Sequence, residues 1–233
     1  MSLNEEARYR EWGLGDRELR SLEILRDRIA GAGFNVSGIR EPGAIERLHF
    51  LDSLSLLSVE AVVSAERIAD IGSGAGLPAL VLGAVLPAKI TAVESQRKKC
   101  AFIRDTAQEM GLEHVEVCWA RAEDYARASD RDQQDVVVSR ALASLPVVAE
   151  YSLPLLRVGG SMAALKGEIS DQERIQAQRA LDILGGSALQ SVRLDPFPEA
   201  EHRWVFVARK ERSTPSQYPR RAGMPSKRPL GAP

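Results

Sequence analysis

The stretch that most constrains this chain is residues 69–78, ADIGSGAGLP, where an apolar run ends in Asp70 and glycines follow at 72, 74 and 76. Glycines in such a strand-to-helix turn allow positive φ and let a ligand reach the main chain with no Cβ in the way. The texture beyond the turn keeps the same rhythm. Short β-type runs at 67–71, 89–94, 115–119, 135–139 and 160–165 alternate with helical patterns at 76–86, 97–111, 144–157 and 171–184, and two more strands are expected near 188–194 and 203–209. That alternation marks βαβ units and a parallel sheet. The predicted architecture is α/β: a doubly wound, mostly parallel seven-stranded sheet with an N-terminal helical cap. The predicted divisions are a cap over 1–60, a ligand-binding domain over 61–211 and a basic, Pro-rich tail over 212–233.

Two helices should build the cap. Residues 16–32 carry Leu19, Leu22, Leu25 and Ile29 on one face, with Asp16 as cap and Gly31 and Gly33 as stop. A second runs from Pro42 to about Leu57 with Ile45, Leu48, Leu51 and Leu54 inward. His49, Asp52 and Ser53 then fall at i, i+3 and i+4, on the face opposite the leucines.

Charge is uneven although the formal total is only -1. Residues 212–233 hold five cations (Arg212, Arg220, Arg221, Lys227, Arg228), five of the twelve prolines and no acid, leaving 26 basic against 32 acidic residues in 1–211. Alone, so polar and Pro-rich a segment should be extended or disordered. It is either a solubilising terminus or an arm for a phosphate backbone. Two cysteines, Cys100 and Cys118, cannot make a disulfide framework, and three scattered histidines form no metal motif, so no metal is expected. The N-terminal MSLNEEARYREWG has no apolar run, and the least charged stretch, 71–88, is broken by four glycines and two prolines. A cytoplasmic protein without a membrane span is expected.

The spacing of the turn narrows its ligand. A dinucleotide fingerprint needs its third glycine where Leu77 stands, which counts against a nicotinamide cofactor. Glu94, eighteen residues past Gly76, ends the second strand where an acid can accept from ribose hydroxyls. Ala122, Glu123 and Asp124 follow the third strand, where amides and a carboxylate can bracket an adenine, although each acid alone also suits a helix N-cap. Together these suit an adenosine lacking phosphate, of which S-adenosylmethionine is the common one.

Six segments carry a resemblance: HFLDS at 49–53, DIGSGAGLP at 70–78, RAED at 121–124, VVSRALASL at 137–145, ALKG at 164–167 and YPRRAGMPSKRPL at 218–230. In order and spacing the chain resembles the RsmG family, also called glucose-inhibited division protein B, methyltransferases of small-subunit ribosomal RNA with a Rossmann-like sheet. The resemblance implies S-adenosylmethionine as cofactor and N7 of a guanosine in 16S ribosomal RNA, as RNA or 30S subunit, as substrate. It implies that Gly72, Gly74, Gly76, Leu77, Glu94, Ala122, Glu123 and Arg140 bind the cofactor, with Arg140 also the candidate catalytic residue. His49, Asp52, Ser53, Lys166, Arg220, Arg221, Lys227 and Arg228 are the expected RNA-facing residues. The chain departs from the family's common pattern at Leu48, where a basic residue often stands; Arg47 lies one place earlier. A monomer is favoured. Two alternatives stay open: a methyltransferase of small molecules, which would not need the tail, and a non-catalytic RNA-binding ribosome-assembly factor that keeps the fold.

Overall fold

The computed structural model describes residues 3–128, 130–197, 200 and 202–232. Helices α1 (Leu3–Glu11) and α2 (Asp16–Ala30) open the chain. Asp16 is the first residue of α2 rather than its cap: Gly15 occupies the N-cap, and the Glu18 carboxylate accepts from its amide at 2.9 Å. Leu22, Leu25 and Ile29 are fully buried, each burial stabilising the fold by about 1.5–3 kcal/mol. The second predicted helix exists but is not uniform. It starts as α3 (Pro42–Ile45), capped by the Glu41 carboxylate on the Gly43 and Ala44 amides, and widens to a π-helix over Glu46–Leu51. It tightens again through α4 (Asp52–Leu54) and a 3-10 turn (Ser55–Ser58), followed by α5 (Glu60–Val63).

The sheet alternates with its helices in chain order: β1 (Arg67–Ile71), α6 (Ala79–Val85), β2 (Lys89–Glu94), α7 (Arg97–Glu109), β3 (Val115–Trp119), α8 (Ala122–Tyr125), β4 (Gln134–Arg140), α9 (Leu145–Ser152), β5 (Leu156–Lys166), α10 (Asp171–Leu184), β6 (Gln190–Leu194) and β7 (Arg203–Arg209). Strand order is β3-β2-β1-β4-β5-β7-β6, and β7 alone runs against its neighbours. β5 starts earlier than its apolar run because Leu156 pairs with Gln134, before an irregularity in register. The two faces of the sheet bury separate cores. α2, α4, α6 and α7 cover one through Leu25, Leu54, Leu80 and Ile103, so the predicted cap shares its core with the sheet. α9 and α10 cover the other through Val148 and Leu181.

The tail is not extended in solvent. Tyr218 and Leu230 pack on the α9–α10 core, and a one-turn α11 (Met224–Lys227) lies beside α9. Main-chain oxygens hold it: Arg131 donates to Thr214 and Tyr218, and Arg127 to Pro219. The expectation of disorder treated the tail alone and could not see the acceptors and donors that the body supplies.

Candidate active site

Every parallel strand ends at one edge, and ligands of doubly wound sheets bind outside that edge. Two recesses lie there. The first opens at the turn after β1. Gly72, Gly74 and Gly76 have φ of 73°, 57° and 83°, conformations that side-chain-bearing residues rarely adopt. An added Cβ at Gly72 or Gly76 would strike Leu142 or Leu80, whereas at Gly74 the nearest atom is 3.9 Å away, so this backbone faces open space. Gly72, Val93, Ser95, Ala122, Glu123 and Tyr151 are among the residues that line a cleft of about 110 Å³, together with Ala120, Arg121 and Leu142. Glu94 is buried beside the turn: Oε2 accepts from Gly74 N at 3.0 Å and Oε1 from Gln96 N at 2.7 Å. Leu77 does not line the cleft. Its side chain is in the core and its amide donates to Ser73 O.

Asp70 lies under the turn, fully buried. Oδ2 accepts from Ala79 N at 3.1 Å, and Oδ1 has no hydrogen-bond partner. Burial pushes its pKa up to about 7, against the Ala79 and Ser73 hydrogen bonds and the attraction of Arg140. An unpartnered carboxylate oxygen below an open glycine backbone fits a cationic ligand carrying polar groups. A sulfonium nucleoside is such a ligand.

The second recess, about 230 Å³, is lined by Leu48, His49, Asp52, Arg140, Lys166 and Arg203 among others. Arg140, at the end of β4, belongs to this recess rather than to the lining of the first cleft. Its Nη1 donates to Leu48 O at 3.1 Å and to His49 Nδ1 at 3.0 Å. His49 Nδ1 also lies 3.1 Å from Leu48 O, and Nε2 is 2.6 Å from Ser37 Oγ, so both ring nitrogens are engaged. Burial, reinforced by Arg140, lowers the His49 pKa to about 4, so the ring is neutral. Asp52 sits between two cations, Oδ2 3.5 Å from Arg140 Nη1 and Oδ1 3.4 Å from Arg203 Nε. Neither separation is a short ion pair, and Arg203 Nε is buried without a hydrogen-bond partner. Lys166, from the end of β5, donates to Ala143 O at 2.8 Å and lies 3.2 Å from Glu173 Oε1.

The structure brings His49, Asp52, Arg140 and Lys166 to one recess, and it corrects two expectations for the cap helix. Ser53 is fully buried and donates to His49 O at 2.6 Å, so it offers nothing to a ligand. The wider π-helical winding breaks the simple i, i+3, i+4 face assumed for this helix. Arg220 is not a free cation either. It forms a forked pair with Glu150, Nη2 to Oε2 at 2.6 Å and Nε to Oε1 at 2.9 Å, and Glu150 is fully buried. Arg221, Lys227 and Arg228 are exposed. Arg203 was missed. Its signal was topological: an antiparallel β7 must begin at the edge where parallel strands end. Among the described residues no group of three or more His, Cys, Asp or Glu could hold a metal ion, and no helix is long and apolar enough to cross a membrane.

A family model described as GidB, rRNA small subunit methyltransferase G, matches residues 20–196. The chain belongs to this family. It is 43% identical over 201 residues to the ribosomal RNA small subunit methyltransferase G of Rubrobacter xylanophilus, covering 84% of this chain and 77% of that one. It is 39% identical over 221 residues to the protein of the same name from Desulfitobacterium hafniense, covering 93% and 91%. Solved structures with this fold include a SAM-dependent O-methyltransferase from Thermotoga maritima, at TM-score 0.58 and 18% identity over 81% of this chain and 71% of that one. The [4+2]-cyclase SpnF is also similar, at TM-score 0.53 and 18% identity over 69% and 80%. A cyclase on the same scaffold shows why fold alone does not assign a reaction. In this GidB-family chain the assignment rests on the family and the site.

Proposed function

We propose that this protein transfers a methyl group from S-adenosylmethionine to N7 of a guanosine in 16S (small-subunit) ribosomal RNA, presented as RNA or 30S subunit in the cytoplasm. Family membership supports the reaction and substrate class. The observation that carries the site is the adjacency of two unlike recesses at one sheet edge, with the half-buried Arg140 acting electrostatically on Asp70 below the first while lining the second. Bound S-adenosylmethionine supplies a methyl on a positively charged sulfonium. Gly72, Gly74 and Gly76 would present backbone to it, Glu94 would accept from its ribose, and Ala122 and Glu123 would flank its adenine.

Guanine N7 carries a lone pair and no proton, so its attack requires no base. The second recess agrees with that demand: both ring nitrogens of His49 are already engaged, by Arg140 and by Ser37. The protein's contribution is to hold N7 in line, exclude water and grip acceptors with fixed cations. Arg140, Lys166 and Arg203 are those cations, and the exposed Arg221, Lys227 and Arg228 add phosphate contacts outside. N7 lies in the deep groove of A-form RNA, so the target base is presented from a loop or an opened stack.

Labelled methyl transfer to unmodified small-subunit RNA and to 30S subunits, followed by nucleoside identification, tests this. Label in 7-methylguanosine is expected. Tight cofactor binding with no label in any RNA would assign the enzyme a small-molecule substrate.

A further inference from the structure

The docked tail bonds to two residues of the proposed cofactor cleft. Gly223 N donates to Glu123 Oε1 at 2.8 Å, and Ser226 Oγ is 3.1 Å from the Tyr151 hydroxyl. Glu123 and Tyr151 both line that cleft. The Glu123 carboxylate is buried, so the amide that fills one of its oxygens also fixes which way the other points. What fixes the amide is the Arg220–Glu150 pair, three residues upstream. Glu150 receives the forked Arg220 side chain together with the Arg220 amide at 2.9 Å, and Arg220 Nη2 donates onward to Arg228 O at 2.7 Å. A single arginine therefore ties both ends of the 220–228 turn to a buried carboxylate on α9.

We infer that residues 220–228 complete the cofactor site, with Arg220 as a positioning residue that acts through Gly223 on the Glu123 carboxylate. Arg220 holds the turn, the turn presents one amide, and the amide orients the acid that would flank an adenine. Of the tail's five cations, this one serves cofactor binding through folding and is not offered to RNA phosphate. The inference rests on the cofactor assignment above.

The test is calorimetric titration of the full-length protein with S-adenosylmethionine, with Arg220→Ala and Glu123→Gln arranged as a double-mutant cycle. Arg220→Ala is expected to weaken cofactor affinity about tenfold, the scale of one or two lost charge-assisted hydrogen bonds, with kcat at saturating cofactor within about twofold of the parent. In the Glu123→Gln background the same substitution should cost about twofold or less, because its effect passes through that carboxylate. Arg220→Lys keeps a cation beside Glu150 but loses the fork and the Arg228 carbonyl, so an intermediate loss is expected. It carries the test by itself if Arg220→Ala does not fold. Unchanged affinity in the folded variants, or equal losses in both backgrounds, would overturn the inference. A parent protein that bound no S-adenosylmethionine would instead remove the cofactor assignment on which it stands.

Discussion

Two acid–arginine clusters in this molecule use the same chemistry to opposite ends. Glu150 and Arg220 meet at 2.6–3.2 Å with both carboxylate oxygens filled, a main-chain amide added and a carbonyl beyond. Asp52 faces Arg140 and Arg203 at 3.4–3.5 Å, with Arg203 Nε lacking a hydrogen-bond partner. Burial holds the Asp52 pKa above its ordinary value despite the two cations. The first cluster is closed and spends its donors on the protein. The second is loose, leaves Arg203 Nε without a hydrogen-bond partner and borders a 230 Å³ recess. Saturation of hydrogen bonds, more than burial or charge, separates an anchor from a site.

That contrast can be broken from either side. Arg220→Ala strands a buried carboxylate and should cost about 3–5 kcal/mol of stability, read as a lower urea midpoint with early cleavage of the tail by protease. Replacing both partners, Glu150→Leu with Arg220→Met, should recover most of that loss, because no unpaired charge is left behind. Full stability in Arg220→Ala would show that the closed cluster anchors nothing.

Arg140→Ala should do the reverse. Methyl transfer is expected to fall by about 100–1000-fold, the scale of losing one preorganised charged donor, while the folded state persists. Pairing it with Asp52→Asn should restore stability but not turnover. Retained turnover in the single variant would remove Arg140 from the reaction.

His49 sharpens the comparison through pH. Above about 6.5 the ring is neutral folded and unfolded, so its contribution to stability is fully present there. As pH falls from 6.5 toward 4, the unfolded chain takes up a proton that the folded ring refuses, and stability drops, by about 2 kcal/mol at pH 5. His49→Gln can still accept from Arg140 and donate to Ser37, and should lose this part of the acid dependence in urea titrations from pH 7.5 to 5. Parallel pH profiles for the two proteins would refute the assignment.

The smallest effects belong to the exposed tail cations. Neutralising Arg221, Lys227 or Arg228 should each reduce the salt slope of RNA binding by about one, with little change in cofactor affinity.

Most of the sheet was legible because its strands are apolar runs bounded by glycine, proline and charge. β1 and β2 carry their predicted limits, since burial on both faces leaves one register for each, and the half-exposed edge strand β3 carries its limits as well. The early start of β5 was not legible, because Arg157 and Val158 are exposed and only the pairing of Leu156 with Gln134, before an irregularity in register, extends the strand back. The cap helix was placed, yet its π-helical turn was not, because leucine spacing carries no signal for a wider turn and only the fold shows what His49 and Asp52 meet across the recess. Arg203 was invisible as a site residue for the same reason.

The chain's own pattern therefore determined the element types, the glycine turn with its acid beneath, and the edge of the sheet where ligands gather. These follow from local backbone freedom and from periodic burial, both of which are written in neighbouring residues. Tertiary structure alone decided which charged groups are saturated and which are left open. Arg220 and Arg221 are adjacent and chemically alike, and one anchors the tail while the other faces water. The difference is Glu150, seventy residues earlier in the chain, whose buried carboxylate only the packed fold brings within reach of Arg220.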